Sequence, residues 1–74
     1  MLDSQDLKSV VTDRMPFGKY QGRLIADLPE DYLLWFAKKG FPSSRLGHLM
    51  QLMLVIRENG LEGLLDPLRG SRRA

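Results

Sequence analysis

Three segments of the chain place apolar residues at the spacing of an α-helix. The first, over residues 3–11, has apolar side chains at i, i+3 and i+4, and Asp3 or Ser4 can cap its N-terminus. The second, over residues 29–39, opens with a proline, places acids in its first turn and lysines in its last, and is followed by a glycine. The third, over residues 45–59, follows two serines that can cap it and ends at a glycine. These signals predict a short N-terminal helix and two principal helices.

The segment between the first two helices has a different pattern. Gly18 and Gly22 lie between aromatic and aliphatic positions, which indicates a tight turn between two short strands. Pro16 cannot donate to a strand ladder, so we expect its strand to be short or at an edge of the sheet. Residues 61–65 predict a last helical turn. The predicted fold class is therefore α+β, with a small β-hairpin packed against two principal helices, a short N-terminal helix and a C-terminal turn.

The aromatic and methionine residues are expected to fill the core. Trp35 lies among apolar residues of the second helix, and we predict that it is largely buried against the hairpin and the third helix. Met15, Met50 and Met53 are typical of core or dimer packing. The third helix is apolar over much of its circumference, which indicates burial on two sides. In so small a chain the second side can be another subunit, which predicts a homo-oligomer through residues 45–59.

Length and composition limit the class of protein. The 74 residues suffice for one domain, which we place over residues 1–68, with a basic disordered tail over residues 69–74. The absence of cysteine excludes disulfides, thiol catalysis and cysteine-ligated metals. The first residues carry no apolar signal-peptide core, and the most apolar stretch is too short and mixed to span a bilayer. We therefore expect a cytoplasmic protein with no membrane partner.

The candidate chemistry is that of binding rather than catalysis. His48 is the single histidine, and the acids are scattered or paired at a helix start, as with Glu30 and Asp31. Neither pattern indicates a zinc site or a carboxylate metal site. Ser43 or Ser44 with His48 would make a nucleophile pair, but serines at this position are typical of helix caps. The sequence thus predicts a protein that is not an enzyme and has no cofactor or metal.

The turn around the two glycines concentrates binding chemistry. Gly18 and Gly22 can direct backbone N–H groups toward an anion, and Lys19 and Arg23 add positive charge beside them. Tyr20 offers a flat ring that can stack on a base or pack on the core. The alternative is a hairpin turn with solvated charges, since a Gly-x-x-x-Gly pattern lacks the remaining features of a Walker or dinucleotide loop.

The distribution of charge favours an anionic partner. The formal net charge is +2, but residues 14–45 hold six basic residues against three acids. Lys38, Lys39 and Arg45 are the basic residues that we expect to join the loop as phosphate contacts. The leading hypothesis is therefore a binding module for nucleic acid, without base-specific readout because no basic recognition helix is present.

Ordered motifs carry a resemblance to a known family. They are Met-Pro-Phe-Gly-Lys-Tyr-Gln-Gly over residues 15–22, Leu-Pro over 28–29, Tyr-Leu-Leu-Trp over 32–35 and Gly-Leu-Glu-Gly-Leu-Leu-Asp-Pro-Leu over 60–68. The chain resembles, over residues 14–68, a family of short, uncharacterised bacterial proteins named for quorum-sensing-regulated virulence. The family name supplies no chemistry.

The same motifs resemble a small module that follows the nuclease domain in some bacterial exonucleases of the proofreading type. The residues that carry over are Gly18, Lys19, Tyr20, Gly22 and Trp35, and the acidic nuclease motifs have no counterpart. The resemblance implies a module that helps to hold nucleic acid and no nuclease activity. The alternative function is a protein–protein interaction module or homodimer, with the role in virulence regulation that the first family's name implies.

Overall fold

The fold, seen in a computed structural model that describes residues 3–69, consists of helices joined by turns. Residues 3–69 form three α-helices and two 3₁₀ helices. In chain order the elements are α1 (Ser4–Val10), the first 3₁₀ helix (Ile25–Asp27), α2 (Glu30–Lys39), α3 (Arg45–Glu58) and the second 3₁₀ helix (Glu62–Leu68). No strand forms within residues 3–69, so the fold is all-α and the α+β prediction is wrong.

The helices predicted from periodicity are confirmed, and their ends follow local capping chemistry. The Asp3 carboxylate accepts a hydrogen bond from the Gln5 N–H at 3.0 Å and so caps α1. Ser44 occupies the N-cap position of α3 without a side-chain hydrogen bond to the helix. At the other end of α3, the Leu61 N–H donates to the Ile56 carbonyl at 2.9 Å, the long-range bond of a Schellman motif. Helices α1 and α3 therefore begin and end close to the residues that the sequence predicts.

The expected β-hairpin is replaced by a looped turn. Arg14 and Leu24 form one isolated antiparallel bridge. Beyond it, Pro16 has no N–H with which to extend a ladder. Gly18 and Gly22 have φ angles of +81° and +90°, in the left-handed region that glycine adopts readily and other residues rarely do. The chain therefore turns away from extended geometry directly after one bridge, and the hairpin cannot become a sheet.

Helix α3 is the element against which the rest of the molecule packs. It contacts α1, α2 and the first 3₁₀ helix, and the Arg57 guanidinium donates from Nη2 to the Ala26 carbonyl at 2.7 Å. Five of its large side chains are buried in the common core: Leu49, Met50, Met53, Leu54 and Ile56. Its broad apolar circumference is thus covered within one chain, and Val55 is the large apolar residue that α3 leaves exposed.

The position of Trp35 differs from the prediction. Its side chain is 52% exposed, whereas Leu33 on the same helix is completely buried. Successive residues of an α-helix are rotated by about 100°, so two positions correspond to about 200°. Leu33 faces the core and Trp35 consequently lies on the opposite side of α2. The prediction that Trp35 is largely buried is wrong.

The C-terminal segment closes against the N-terminal helix. The second 3₁₀ helix contacts α1 and buries Leu65 in the core. Arg69 pairs from Nη2 with the Asp27 carboxylate at 3.2 Å, so the first residue of the predicted basic tail is attached to the domain. The rest of that tail, residues 70–74, lies outside the described residues. None of the helices between residues 3 and 69 has the length and apolar character that a membrane crossing requires.

The first turn of α3 lies very close to the backbone of the turn before it. A Cβ atom on Gly47 would overlap the Pro42 carbonyl group, because the turn before α3 folds back over the helix at this point. The neighbour is backbone rather than a flexible side chain, so it cannot move aside without shifting the turn. Glycine at position 47 is therefore required by space and not by its φ angle.

We expect Gly47→Ala to lower the free energy of unfolding by about 1–3 kcal/mol or more, the usual cost of forcing extra atoms into a packed region. This is a large share of the stability of a small domain. Urea denaturation followed by circular dichroism measures the change. Gly63→Ala is the matched control, because an added Cβ there meets no atom within 4 Å. Equal stability of the two variants would contradict the close approach.

Candidate functional site

The glycine loop, defined as residues 18–23, is closed at its base by its own backbone. The Met15 N–H donates to the Arg23 carbonyl at 2.7 Å, and the Gly22 N–H donates to the Met15 carbonyl at 2.8 Å. The Arg14 guanidinium donates from Nη1 to the Gly22 carbonyl, also at 2.7 Å. These bonds join both ends of the loop and fix its shape.

Several N–H groups of the glycine loop are already used by the loop itself. Those of Gln21, Gly22 and Arg23 donate to carbonyls of the loop and its base. They are therefore committed, and a nest of backbone donors for an anion would have to form without them. The positive charge that the loop presents to a ligand comes from side chains instead.

Two cations of the glycine loop lie over its aromatic ring. The Lys19 Nζ is 5.5 Å from the centroid of the Tyr20 ring, and the Arg23 Cζ is 5.3 Å from it. At an exposed site such a contact contributes about 0.5–1 kcal/mol. Because this contact is weak, either cation can leave the ring to meet a phosphate.

A row of edge-to-face aromatic contacts joins the glycine loop to α2. The Tyr20 and Tyr32 centroids are 4.7 Å apart, those of Tyr32 and Phe36 are 5.2 Å apart, and those of Phe36 and Trp35 are 5.0 Å apart. The loop backbone also approaches this row, because a Cβ on Gly18 would lie 3.3 Å from the Tyr32 hydroxyl. The row thus fixes where the loop's cations lie relative to Trp35.

Two open grooves flank Trp35. One is lined by Lys19, Tyr20, Asp31, Tyr32 and Trp35, and the other by Asp31, Leu34, Trp35, Ala37 and Lys38. Lys39 places its Nζ 5.6 Å from the centroid of the Trp35 ring. We call this face the aromatic–basic surface, and its members are Lys19, Tyr20, Arg23, Trp35, Lys38 and Lys39. It combines an exposed indole with cations from the loop and from the end of α2.

The structure brings most of the predicted site residues to this surface and places one elsewhere. Gly18 and Gly22 shape the loop, and the two lysines of α2 lie beside Trp35. Arg45 instead pairs from Nη2 with the Asp6 carboxylate at 2.9 Å and donates to the Ser9 hydroxyl at 3.0 Å. It lines a different groove, so its main contacts join α3 to α1.

A second polar partner completes the contact around Asp6. His48 Nε2 lies 2.7 Å from the second carboxylate oxygen of Asp6. Because an ionised carboxylate only accepts hydrogen bonds, Nε2 carries the hydrogen in this arrangement. The hydrogen bonds from His48 and from Arg45 hold the pKa of Asp6 below its ordinary value, against the opposing effect of burial. We call the three side chains the Asp6 clamp.

The sequence pattern gives an incomplete picture of this face. Apolar spacing places Trp35 in the core, although the resemblance to the exonuclease-linked module includes it. The position of Asp31 at the start of α2 indicates a contact with the helix dipole and not a place beside Trp35. A signal for both was present, since Leu33 and Trp35 cannot face the same side of one helix. Asp31 is four residues before Trp35 and therefore shares its face.

The fold and this surface define a small helical protein with an exposed basic and aromatic face. The chain belongs to the family described as "Putative quorum-sensing-regulated virulence factor", which it matches over residues 3–68. It is 49% identical over 69 residues to the uncharacterised protein YpeB of Escherichia coli K12, a match that covers 92% of this chain and 96% of the relative. The YpeB protein of E. coli O157:H7 matches equally well. No solved structure matches the chain significantly.

We expect Asp6→Asn to be less stable than the parent at pH 7, with a difference that disappears in acid. The pKa of Asp6 is lower in the folded protein than in the unfolded chain, so the folded state binds this proton less tightly. The stabilisation is complete above the ordinary aspartate pKa of about 4 and is lost as the pH falls through the lowered folded value. Thermal melts between about pH 7 and pH 2 measure it.

Asp13→Asn is the control for this comparison, because it removes one negative charge at an exposed aspartate outside the clamp. The control should change stability little and should leave the pH dependence of the parent in place. A parallel pH dependence in the parent and in Asp6→Asn would show that the clamp does not stabilise the fold through its charge.

Proposed function

We propose that this protein is a non-catalytic module that binds single-stranded nucleic acid on the aromatic–basic surface. Proteins that hold single strands without sequence preference combine a basic groove with aromatic rings on which bases stack. Here the basic groups come from the glycine loop and from the last turn of α2, and the exposed ring is that of Trp35. The cytoplasm, where single strands occur, is the proposed location.

The observation that carries the proposal is the exposure of Trp35 beside cations. Trp35 is 52% exposed, the largest exposed fraction among the large apolar side chains of residues 3–69, although its burial would stabilise the fold. Lys39 approaches its ring, and Lys19 lines a groove next to it. A ligand that carries flat rings and negative charges at short intervals can contact the exposed indole and the cations together.

The surface suits a single strand better than a duplex. Duplex readers insert a helix or ribbon into the major groove, with base-contacting side chains projecting from it. The exposed face of α2 instead presents Trp35 and Leu34 between shallow grooves, with Lys38 at its C-terminal end. Stacking on an indole needs an unpaired base, and a single strand supplies one.

The resemblance to the exonuclease-linked module supports the same proposal. The residues that match that module include Lys19, Tyr20 and Trp35, which belong to the aromatic–basic surface. The names of the family and of the E. coli relatives supply no ligand. A role in virulence regulation would follow from the partner and adds no chemistry to the surface.

The alternative, a homo-oligomer built on residues 45–59, has less support from the structure. That prediction rests on the broad apolar circumference of the helix. Most of the apolar side chains of the helix pack inside a single chain. A protein partner would instead meet Leu34 and Trp35 on α2, where the apolar surface is exposed. Binding of that kind depends weakly on salt, whereas binding to a single strand depends on it strongly.

We expect Lys19→Ala to reduce the salt dependence of binding to a fluorescein-labelled oligo-dT. Loss of one phosphate contact lowers the slope of log K against log salt by about 0.7 for a single strand. Anisotropy titrations at several salt concentrations measure the slope. Lys8→Ala is the matched control, since it removes the same charge from α1, away from this surface. Equal slopes in the two variants would contradict the assignment of Lys19.

We expect Trp35→Ala to weaken single-strand binding by about 1–3 kcal/mol without changing the salt slope, because the lost interaction is stacking. Trp35 is the single tryptophan of the chain, so quenching of its fluorescence reports ligand binding at this ring directly. Leu64→Ala, which truncates another exposed apolar side chain on the second 3₁₀ helix, should bind as the parent does.

The binding comparison requires that each of these variants remains folded. Trp35 is about half exposed, so Trp35→Ala should cost less than truncation of a fully buried aromatic, which costs about 3–5 kcal/mol, and should remain folded. A parent protein that shows neither salt-sensitive binding nor tryptophan quenching with any nucleic acid at low ionic strength would overturn the proposal. Sedimentation of a dimer at micromolar concentration in the same samples would then move the interaction alternative to first place.

A further inference from the structure

We propose that Asp31 makes the aromatic–basic surface prefer guanine among the bases of a bound single strand. This inference rests on the proposed function and adds selectivity to it. Asp31 lies in the first turn of α2 and lines both of the grooves that flank Trp35. It is the carboxylate that those two grooves share within the described residues.

The helix geometry places Asp31 next to a base stacked on Trp35. Residues four apart on an α-helix are neighbours, with Cβ atoms about 5–6 Å apart. Long side chains on a helix lean toward its N-terminus, which directs the Trp35 indole toward the turn that carries Asp31. A base that covers the indole thus extends an edge toward the Asp31 carboxylate.

The Asp31 carboxylate is available for such an edge. Within residues 3–69 the acids that form ion pairs are Asp6, with Arg45 and His48, and Asp27, with Arg69. Asp31 is exposed and takes no part in these pairs. Its favourable interaction with the N-terminus of α2 is shared by Glu30, which lines neither groove.

The chemistry of a carboxylate selects one base above the others. Its two oxygens only accept hydrogen bonds, and they bind most strongly to two parallel N–H donors. Guanine presents N1–H and the N2 amino group side by side on its Watson–Crick edge. Cytosine and adenine each place one amino group beside an acceptor nitrogen, and thymine and uracil place one N–H between two carbonyl oxygens. Guanine alone satisfies both oxygens of Asp31 without facing an acceptor.

The test compares three labelled oligonucleotides that differ at one position. The first is oligo-dT, the second carries a single central guanine, and the third carries hypoxanthine there, which keeps N1–H but lacks the amino group. We expect the parent to bind the guanine strand at least about fivefold more tightly than oligo-dT, the lower limit of a bidentate base contact. Hypoxanthine should bind between the two.

Three substitutions on α2 separate hydrogen bonding from charge. Asp31→Asn leaves one acceptor oxygen and should reduce the difference between guanine and hypoxanthine, whereas Asp31→Ala leaves none and should abolish it. Both should also bind oligo-dT more tightly, because a negative charge near the phosphates is gone. Glu30→Gln removes the same charge one residue away and should keep the guanine preference.

The outcomes distinguish this inference from the proposed function. A parent that binds all three strands equally, or an Asp31→Ala variant that keeps the preference, overturns the role of Asp31 and leaves single-strand binding intact. A parent that binds none of the strands overturns both. Loss of the preference in Glu30→Gln as well as in Asp31→Ala would show that charge at this end of α2 causes it, and would also overturn the inference.

Discussion

Burial of apolar surface against a single helix organises this protein. Helix α3 contacts α1, α2 and the first 3₁₀ helix, and its large side chains form much of the common core. A chain of 74 residues without disulfides has no second core on which to depend. Helix α2 therefore gives one face to α3, and its other face meets solvent or a ligand. The close passage of Pro42 over Gly47 belongs to the same constraint, because it brings the preceding turn onto α3.

The candidate site follows from this one-sided packing. Helix α2 gives Leu33 to the core, so residues on its other side are directed outward, Trp35 among them. The glycine loop then packs on the flank of α2 through Tyr20 and Tyr32, which brings its cations to the same face. The aromatic–basic surface requires no element beyond those that build the fold. It is the face of α2 that α3 leaves uncovered, together with the loop that precedes that helix.

Local signals in the sequence predicted the helices, since capping residues, terminal charges and apolar spacing act over a few neighbours. The same signals predict a hairpin in the glycine loop, and this prediction is wrong. One bridge forms between Arg14 and Leu24, but Pro16 and two glycines with positive φ prevent further pairing. The prediction for Trp35 is wrong because aromatic residues prefer the core only on the buried face of a helix, and Trp35 lies about 200° from Leu33 around α2. The Asp6 clamp and the need for Gly47 depend on contacts between distant segments, and no local pattern carries them.

The Asp6 clamp joins residues 42 positions apart in a fold whose helices form through local contacts. Closing so long a segment is costly in chain entropy, so the contact between α1 and α3 should form late in folding. Helix α1 spans only seven residues and could not persist once detached. Its amide hydrogens should therefore exchange with solvent through a local opening that leaves α2 and α3 intact. The aromatic–basic surface lies on the glycine loop and α2, so we expect the N-terminal helix to open and close without disturbing a bound ligand.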